Sequence, residues 1–389
     1  MRLKINIAVL IGFHPTSWLG GLNYYLNLYY FLSRYDDVNF IIITSSRLRK
    51  TYSKIFNKST VLSSKEFFKK YSLSSIISKL KIFFFGKDSD KEDFLKNNDV
   101  HVLTHSSYLG RNSKILNFPI IWDFQEITNS SNFSLKDRVL RYINNLMCIT
   151  NSNGVILSSK QDLLTYKKIT NKKNYFLIPQ PETFLGYKKI NKNNIFRKYR
   201  INRNYFILPN QFWKHKNHIT VLKSLKYIKD NFGCEVLVIC TGNIYNWRHK
   251  KNYDILINYI KQNNLANNFK ILGIVPRNDL FNLISHSLGL INPSLSEGES
   301  GSVEIAKALK KKCILSDIPS HKEQVRRNVF FFLPLNFKSL AKILMKNYNV
   351  NKGVKIVNFN LNNYLKNLQS NLDKYILFVK KNLNVKNDY

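Results

Sequence analysis

The chain has 389 residues, of which 44% are hydrophobic and 14% aromatic. A single hydrophobic core rarely grows past roughly 250 residues, so this length predicts two domains, each with its own core. The apolar content excludes an intrinsically disordered chain, which is poor in hydrophobic and aromatic side chains.

The charge balance is strongly basic. The chain contains 61 Lys and Arg against 24 Asp and Glu, a formal net charge of +37. A field of this sign attracts polyanions such as anionic lipid, nucleic acid or phosphorylated substrates. The abundance of Lys, Asn, Ile, Phe and Tyr is also what an AT-rich genome imposes without selection for binding, and both explanations stay open.

The sequence does not predict a membrane span, which needs roughly 18–20 uninterrupted apolar residues. The start MRLKINIAVLIGF resembles a short signal peptide, but HPTSW follows in place of a small-residue cleavage site, so we interpret it as a buried first strand. The cysteines are scattered without metal-ligand spacing, which favours a reduced, cytoplasmic protein. Any membrane contact is then expected to be peripheral.

Short apolar runs alternate with longer amphipathic stretches, the pattern of parallel strands covered by crossover helices. The predicted fold class is therefore α/β. Strands are predicted at 5–12, 38–44, 99–105, 118–124, 154–159 and 175–179, and in the second half at YFILP, CEVLVICTG, FKILGIV, LGLINPS, KCILSDI and VFFFLP. The long stretch 46–98 is expected to hold extra helices that face an acceptor or a membrane.

A polar, basic segment from Pro181 to Asn204 separates the two strand series. We predict an N-terminal domain over 1–185 and a C-terminal domain over 186–350. The tail, 351–389, has apolar positions at roughly helical spacing between 357 and 384, so it is expected to be helical. Whether this tail crosses back to pack against the N-terminal domain stays open.

Ligands of open parallel sheets bind outside the carboxyl ends of the strands, and the loop after the first strand carries Gly20 and Gly21 at a helix start. Glycines let a ligand approach the backbone, and free N–H groups there favour negative charge. A turn needed only for packing is the alternative. The motif G-x-G-x-x-G does not occur here, so no dinucleotide cofactor is indicated.

A second loop, LPNQFWKHKNH, carries the basic cluster Lys214, His215, Lys216 and His218. Cations of this kind stabilise the charge that develops on a diphosphate leaving group, although a solvated basic face would look the same. No carboxylate or further histidine lies close in sequence, so no metal is predicted.

A third loop follows the strand LGLINPS and carries Glu297, Gly298, Glu299, Ser300 and Gly301 before a helix with Ser302 and Glu304. Carboxylates here can bind sugar and ribose hydroxyls, and the backbone amides can hold phosphate. The alternative is a capping arrangement in which Ser300 or Ser302 caps the helix.

The segment PSLSEGESGSVEIAKALKKKCILSDIPSHKEQ resembles the donor-site signature of glycosyltransferase family 4. Other stretches resemble a bacterial, cell-surface polysaccharide branch of it, in family order across roughly residues 8–325. They are SWLGGLNYYLNLYYFL, WDFQE, GVILSSKQDL, LPNQFWKHKNH, CTGN and ILGIVPRNDL. This collinearity is more specific than any single motif.

The resemblance implies a GT-B architecture, two Rossmann-like domains facing a cleft, with the acceptor on the N-terminal domain and the nucleotide sugar on the C-terminal one. It implies retention of anomeric configuration and no metal. By position, Lys216 matches the lysine at the donor diphosphate, Glu297 the glutamate at the transferred sugar, and Gly20 and Gly21 the glycine loop near the phosphates.

Three positions depart from the family pattern. The second signature glutamate is Ile305, with Glu304 one residue earlier, and the usual diphosphate-binding arginine is Gln211. Lys214 or His215 would then supply a second cation. The histidine that often follows DFQ is Glu126, which leaves His105 as an alternative imidazole.

The sequence thus predicts a retaining, metal-independent glycosyltransferase with Glu297 and Lys216 in catalysis. The expected acceptor is a glycan, lipid-diphosphate-linked, in bacterial lipopolysaccharide, O-antigen or capsule synthesis on the inner face of the plasma membrane, with anionic lipid as a further partner. His105, Asp123 and Glu126 are the acceptor-side candidates. No specific nucleic acid is expected, because no recognition motif appears. The alternative is a catalytically degenerate binding or scaffold protein.

Overall fold

The computed structural model describes residues 4–68, 73–128, 130, 133–179, 187–244, 251–348 and 361–387. The chain forms two compact units. The first unit comprises Met1–Thr183 with Asn363–Tyr389, and the second comprises Phe184–Asn362. The domain boundaries predicted after residues 185 and 350 both fall outside the described ranges.

The first unit contains a five-stranded parallel sheet of order β3-β2-β1-β4-β5. Its strands are β1 Ile5–Leu10, β2 Val38–Thr44, β3 Thr60–Ser63, β4 Val102–Thr104 and β5 Leu116–Phe118. The helices between them are α1 Leu19–Leu32, α2 Arg49–Ile55, α3 Lys65–Phe68, α4 Leu73–Phe85 and α5 Ser89–Asn97. Helices α2 to α5 occupy the long stretch 46–98, together with the strand β3, which the sequence did not predict.

A smaller parallel sheet of order β6-β7-β8 contains the other strands in the described part of this unit. It consists of β6 Ile120–Ile121, β7 Val155–Leu157 and β8 Tyr175–Leu177, with helices α6 Gln125–Thr128, α7 Leu135–Thr150 and α8 Lys160–Ile169. The single strand predicted over 118–124 is wrong. Pro119 has no N–H to give to a ladder, and the chain passes there from β5 in one sheet to β6 in the other.

The tail forms α16, Leu361–Asn387, and belongs to the first unit. Its buried side chains include Leu372, Tyr375 and Val379. The ring of Tyr375 meets those of Phe118 and Phe176 edge-on at 5.3 and 5.2 Å. This tail therefore supplies part of the core of the first unit.

The second unit is built on a six-stranded parallel sheet of order β11-β10-β9-β12-β13-β14. Its strands are β9 Phe206–Leu208, β10 Val238–Cys240, β11 Phe269–Ile271, β12 Leu290–Asn292, β13 Cys313–Ser316 and β14 Val329–Phe332. The helices are α9 Lys192–Lys198, α10 His218–Phe232, α11 Asn252–Gln262, α12 Arg277–His286, α13 Gly301–Ala308, α14 Pro319–Gln324 and α15 Phe337–Tyr348. All six strands match predicted apolar runs.

Both faces of this sheet are buried, which explains the continuous apolar runs. On β9, Phe206 and Leu208 pack into one hydrophobic cluster and Ile207 into the cluster on the opposite face. Successive side chains of a strand point to opposite faces, so a strand covered on both sides is apolar at every position. The predicted α/β class is confirmed.

The contribution of α16 can be measured with two leucines of that helix. Leu372 is 1% exposed and Leu377 is 69% exposed. We expect Leu372→Ala to lower the free energy of unfolding by about 2–4 kcal/mol, because it leaves a cavity in the core. Leu377→Ala should change it by less than about 0.5 kcal/mol. Equal effects in urea unfolding would contradict this packing.

Candidate active site

Lys216 and Glu297 form an ion pair in the second unit. The Lys216 Nζ lies 2.5 Å from Glu297 Oε1 and 2.7 Å from Oε2, and the two side chains are 16% and 7% exposed. Lys216 ends a short 3₁₀ helix, Lys214–Lys216, which follows β9, and Glu297 lies in the loop after β12. Because β9 and β12 are neighbours in the sheet, their following loops meet at its carboxyl edge.

Backbone contacts hold these two loops together. The Leu295 N–H donates to the His215 carbonyl at 2.8 Å. Asn217 has φ 55° and ψ 38°, a left-handed conformation that Asn adopts more readily than most residues. Its side-chain amide donates to the carbonyls of Pro293 at 3.0 Å and Pro334 at 2.7 Å. The lysine and the glutamate are thus positioned by rigid backbone.

Burial alone would raise the pKa of Glu297. The nearby ammonium of Lys216 is the largest of the opposing effects, which together hold the pKa at about 2. The carboxylate therefore stays ionised at neutral pH and acts as a hydrogen-bond acceptor at both oxygens.

A buried polar network surrounds Glu297, and the sequence did not predict it. The Ser294 hydroxyl lies 2.6 Å from Glu297 Oε1 and 2.7 Å from Asn292 Oδ1. The Asn292 amide donates to Ser300 Oγ at 2.9 Å, and Asn210 donates to Asn292 Oδ1 at 3.0 Å. Asn210 follows β9 and Asn292 ends the neighbouring strand β12. The carboxyl edge of the sheet therefore carries a hydrogen-bonded network of buried polar side chains.

His321, at the start of α14, is a second residue that the sequence analysis missed. Its Nδ1 lies 2.9 Å from the Ser316 carbonyl, which can only accept, so Nδ1 carries the hydrogen. The Nε2 atom is buried and has no hydrogen-bond partner. Burial lowers the pKa of this imidazole and Lys216 lowers it further, against the opposing effects of Glu297 and the Ser316 hydrogen bond. His321 is thus a neutral acceptor close to the ion pair.

The predicted site residues of α13 separate into two environments. Glu304 is buried; Lys307 Nζ donates to it at 2.8 and 2.9 Å, and Gln324 Nε2 donates to it at 3.0 Å. Ile305 packs in the hydrophobic core instead. Of these two positions, only Glu304 reaches a polar environment.

Ser300 is the residue before α13, but its hydroxyl makes no capping hydrogen bond. It lies 3.1 Å from the Ser302 hydroxyl and accepts from Asn292. The Ser300 N–H donates to Gln324 Oε1 at 3.1 Å. Gly298 and Gly301 are half-buried on either side. Ser300 therefore joins the polar network and does not cap the helix.

The other residues of the second loop lie in different environments. Lys214 is exposed and Gln211 is half-buried. His218 is buried, with its ring stacked on Phe212 at 4.4 Å, and burial lowers the pKa of its imidazole to about 3. Lys216 differs from these side chains because it forms an ion pair with Glu297.

In the first unit, Gly20 and Gly21 lie in the first turn of α1. A Cβ at Gly21 would come within 2.3 Å of the Trp18 indole, whereas one at Gly20 would have only an ordinary contact with it at 3.6 Å. Packing under Trp18 therefore requires the glycine at position 21. Gly20 is the exposed member of the pair.

The acceptor-side candidates are engaged with their neighbours. His105 is buried, its Nε2 lies 2.9 Å from the Tyr24 hydroxyl, and burial lowers its pKa to about 3. Arg141 donates to Asp123 at 2.5 Å and to Glu126 at 3.2 Å. Asn145 donates to the other oxygen of Glu126 at 2.8 Å. Asp123 and Glu126 thus connect the segment after β6 to helix α7.

The described ranges contain neither a candidate metal cluster nor a candidate membrane-spanning helix. Within them, no group of three or more His, Cys, Asp and Glu side chains is arranged to hold a metal ion. No helix among the described residues combines the length and apolar character needed to cross a membrane.

The two units, both built on parallel sheets covered by helices, have the GT-B fold with two Rossmann-like domains. A glycosyltransferase from Rickettsia africae ESF-5 aligns with a TM-score of 0.63 at 17% identity, covering 99% of this chain and 98% of that one. Anabaena HepE, solved with UDP and glucose, aligns with a TM-score of 0.64 at 14% identity over 89% and 92%. WaaG, a glycosyltransferase involved in lipopolysaccharide biosynthesis, aligns with a TM-score of 0.61 at 13% identity over 88% and 90%.

Residues 191–376 match the family model described as glycosyl transferases group 1. The chain therefore carries a glycosyl transferases group 1 domain, and the protein is a glycosyltransferase. No curated protein sequence matches the chain.

The ion pair between Lys216 and Glu297 should contribute to the free energy of unfolding. Removing one partner leaves a largely buried charge, so we expect Glu297→Gln or Lys216→Met to lower the free energy of unfolding by about 2–4 kcal/mol. The exposed Lys214→Met is the matched control. The double mutant should show a coupling energy on the order of 1–3 kcal/mol. Strictly additive effects in urea unfolding would contradict the pair.

The depressed pKa of Glu297 also gives a pH dependence. Its folded pKa of about 2 lies below the ordinary glutamate pKa of 4.5. The stabilisation by the carboxylate is therefore complete above about pH 4.5 and is lost as the pH falls towards 2. We expect the difference in unfolding free energy between the wild type and Glu297→Gln to shrink over this range. A difference in unfolding free energy that stays constant over this range would show that the neighbouring charges do not lower the pKa of Glu297.

Proposed function

We propose that the protein transfers a sugar from a nucleotide-sugar donor to a glycan acceptor, with retention of configuration and without a metal. The observation that carries this proposal is the Lys216–Glu297 pair at the carboxyl edge of the second sheet. A donor diphosphate at this edge would compete with Glu297 for the Lys216 ammonium, and the released carboxylate would accept hydrogen bonds from sugar hydroxyls. The match to the glycosyl transferases group 1 model supports the reaction class.

The Lys216 charge would stabilise the diphosphate as it leaves, which is the step where negative charge develops. The ionised Glu297 and the neutral His321 Nε2 are both acceptors, as hydroxyl groups of a sugar require. The presence of UDP and glucose in the HepE structure supports a nucleotide-sugar donor for the same fold. Retention and metal independence rest on the family resemblance.

For the acceptor, we propose a lipid-diphosphate-linked glycan of bacterial lipopolysaccharide, O-antigen or capsule synthesis, met at the cytoplasmic face of the membrane. The formal charge of +37 supports attraction to diphosphate and anionic lipid. The role of WaaG in lipopolysaccharide biosynthesis is consistent with such a pathway.

A thermal-shift screen tests the donor site first. We expect one of UDP, GDP, ADP and CDP to raise the melting temperature of the protein, and the shift to survive a chelator of divalent metals. Lys216→Ala should abolish most of this shift, while the exposed Lys214→Ala should keep it. No shift with any nucleotide, at concentrations that saturate related transferases, would overturn the donor proposal.

Turnover separates the roles of the two residues. We expect Lys216→Ala and Glu297→Gln each to lower kcat/KM by a factor on the order of 100 or more. Because Glu297→Gln frees the lysine, it should keep or strengthen binding of the nucleoside diphosphate, whereas Lys216→Ala should weaken it. Weaker diphosphate binding in Glu297→Gln would contradict the competition between carboxylate and phosphate. The anomeric configuration of the product, read by NMR, tests retention.

A catalytically degenerate binding protein is a second candidate, favoured by the contacts of α13. Ile305 packs in the core, and Glu304 already accepts from Lys307 and Gln324. Ribose recognition would have to displace Lys307. Nucleotide binding without detectable transfer to any acceptor would support this candidate.

A further inference from the structure

Helix α7 presents an apolar stripe to solvent. Leu135, Val139 and Ile143 are 73%, 48% and 50% exposed, and Tyr142 is also exposed. These residues recur at spacings of three and four, so they lie along one side of the helix. A surface helix of a globular protein ordinarily buries such a stripe.

The side of α7 that contacts the unit is largely polar. Arg141 binds Asp123 and Glu126, and Asn145 binds Glu126. Near the end of the helix, only Cys148 and Ile149 are buried in the hydrophobic cluster. The helix is therefore attached to the protein through polar contacts, and its apolar stripe points outward.

A second exposed apolar group lies at the end of α4. Phe83, Phe84 and Phe85 are 73%, 69% and 70% exposed, an unusual run of three aromatic side chains in solvent. The preceding Ile82 is buried in the same cluster as Cys148 and Ile149 of α7.

The same loop contacts the carboxyl ends of both helices. The Asn112 amide donates to the Phe85 carbonyl at 3.1 Å. The Gly110 N–H donates to the carbonyl of Asn151, which follows α7, at 3.1 Å. The two apolar groups therefore belong to neighbouring elements, and together we call them the apolar face.

The charge of the chain indicates which kind of partner binds this face. Lys79 on α4 and Lys136 on α7 are exposed beside the apolar side chains, within a chain of formal net charge +37. A second copy of the chain would bring like charges together and is disfavoured. An anionic bilayer is attracted by the same charges, and aromatic and aliphatic side chains of a surface helix insert at its headgroup boundary.

We propose that the apolar face docks on the surface of a bilayer that contains anionic lipid. Docking there would bring α7 to the membrane, and Arg141 ties α7 to the acceptor-side candidates Asp123 and Glu126. The delivery of a lipid-linked acceptor to this part of the first unit rests on the proposed function. The docking itself does not.

Co-sedimentation of the full chain with vesicles tests the docking. The probes are phosphatidylcholine vesicles with and without phosphatidylglycerol, at low and high salt. We expect the wild type to sediment with the anionic vesicles and Leu135→Glu/Val139→Glu to lose most of that binding, at least several-fold. Leu164→Glu, at an exposed leucine of α8 outside the apolar face, is the matched control and should bind like the wild type.

Three results would overturn the proposal. They are a wild type that stays in the supernatant, a Leu135→Glu/Val139→Glu variant that binds as well as the control, and a wild-type oligomer that this variant dissociates. Phe83→Ser/Phe84→Ser tests the second part of the face by the same assay, with the same expectation. Circular dichroism and thermal unfolding verify that each variant is folded.

The nucleotide thermal shift keeps this proposal separate from the proposed function. Leu135→Glu/Val139→Glu should keep the nucleotide response of the wild type, because the substitutions lie in the other unit from Lys216 and Glu297. Vesicle binding without any nucleotide response would contradict the proposed nucleotide-sugar donor site and leave the docking surface supported. A nucleotide response without vesicle binding would contradict the docking surface and leave the proposed donor site supported.

Discussion

The buried pair of Lys216 and Glu297 is the constraint on which the site depends. A charge held away from water is costly unless a counter-charge and hydrogen bonds accompany it. The pair supplies the counter-charges, and Ser294 and Asn292 supply polar partners around the carboxylate. The two residues are 81 positions apart in sequence and meet because β9 and β12 are adjacent in the sheet. Strand order therefore creates the site.

The strands of the second unit could be predicted because burial on both faces gives each strand a continuous apolar run. The same argument did not find β3, whose four residues TVLS mix polar and apolar side chains at the edge of the first sheet. It also merged β5 and β6, since Pro119 between them reads as part of one apolar run. An edge position and a change of sheet are properties of topology, and local composition does not encode them.

Lys216 and Glu297 were each noticed from the composition of their loops, but their roles in one donor site came from the resemblance, because only the family pattern connects residues so far apart in sequence. Asn292, Ser294 and His321 were missed for a physical reason. Each is an ordinary polar residue in sequence, and it becomes significant when the fold buries it beside a charge. His321 could have been noticed from its place after a predicted strand, in the loop sequence SDIPSH. For Gly21 the structure supplies a packing reason, the alternative that the sequence analysis left open, since Trp18 occupies the space that a side chain would need.

The position of α16 has a consequence for biosynthesis. The first unit takes its core from two segments of the chain that are far apart in sequence. Tyr375 packs against Phe118, and the whole second unit lies between these two residues in the sequence. A ribosome releases the chain from the N-terminus, and domains generally fold as units as they emerge. The second unit can thus be finished while the first still lacks its last helix. Until α16 arrives, the aromatic rings of Phe118 and Phe176 have no Tyr375 to cover them, so the nascent first unit leaves part of its core exposed to water.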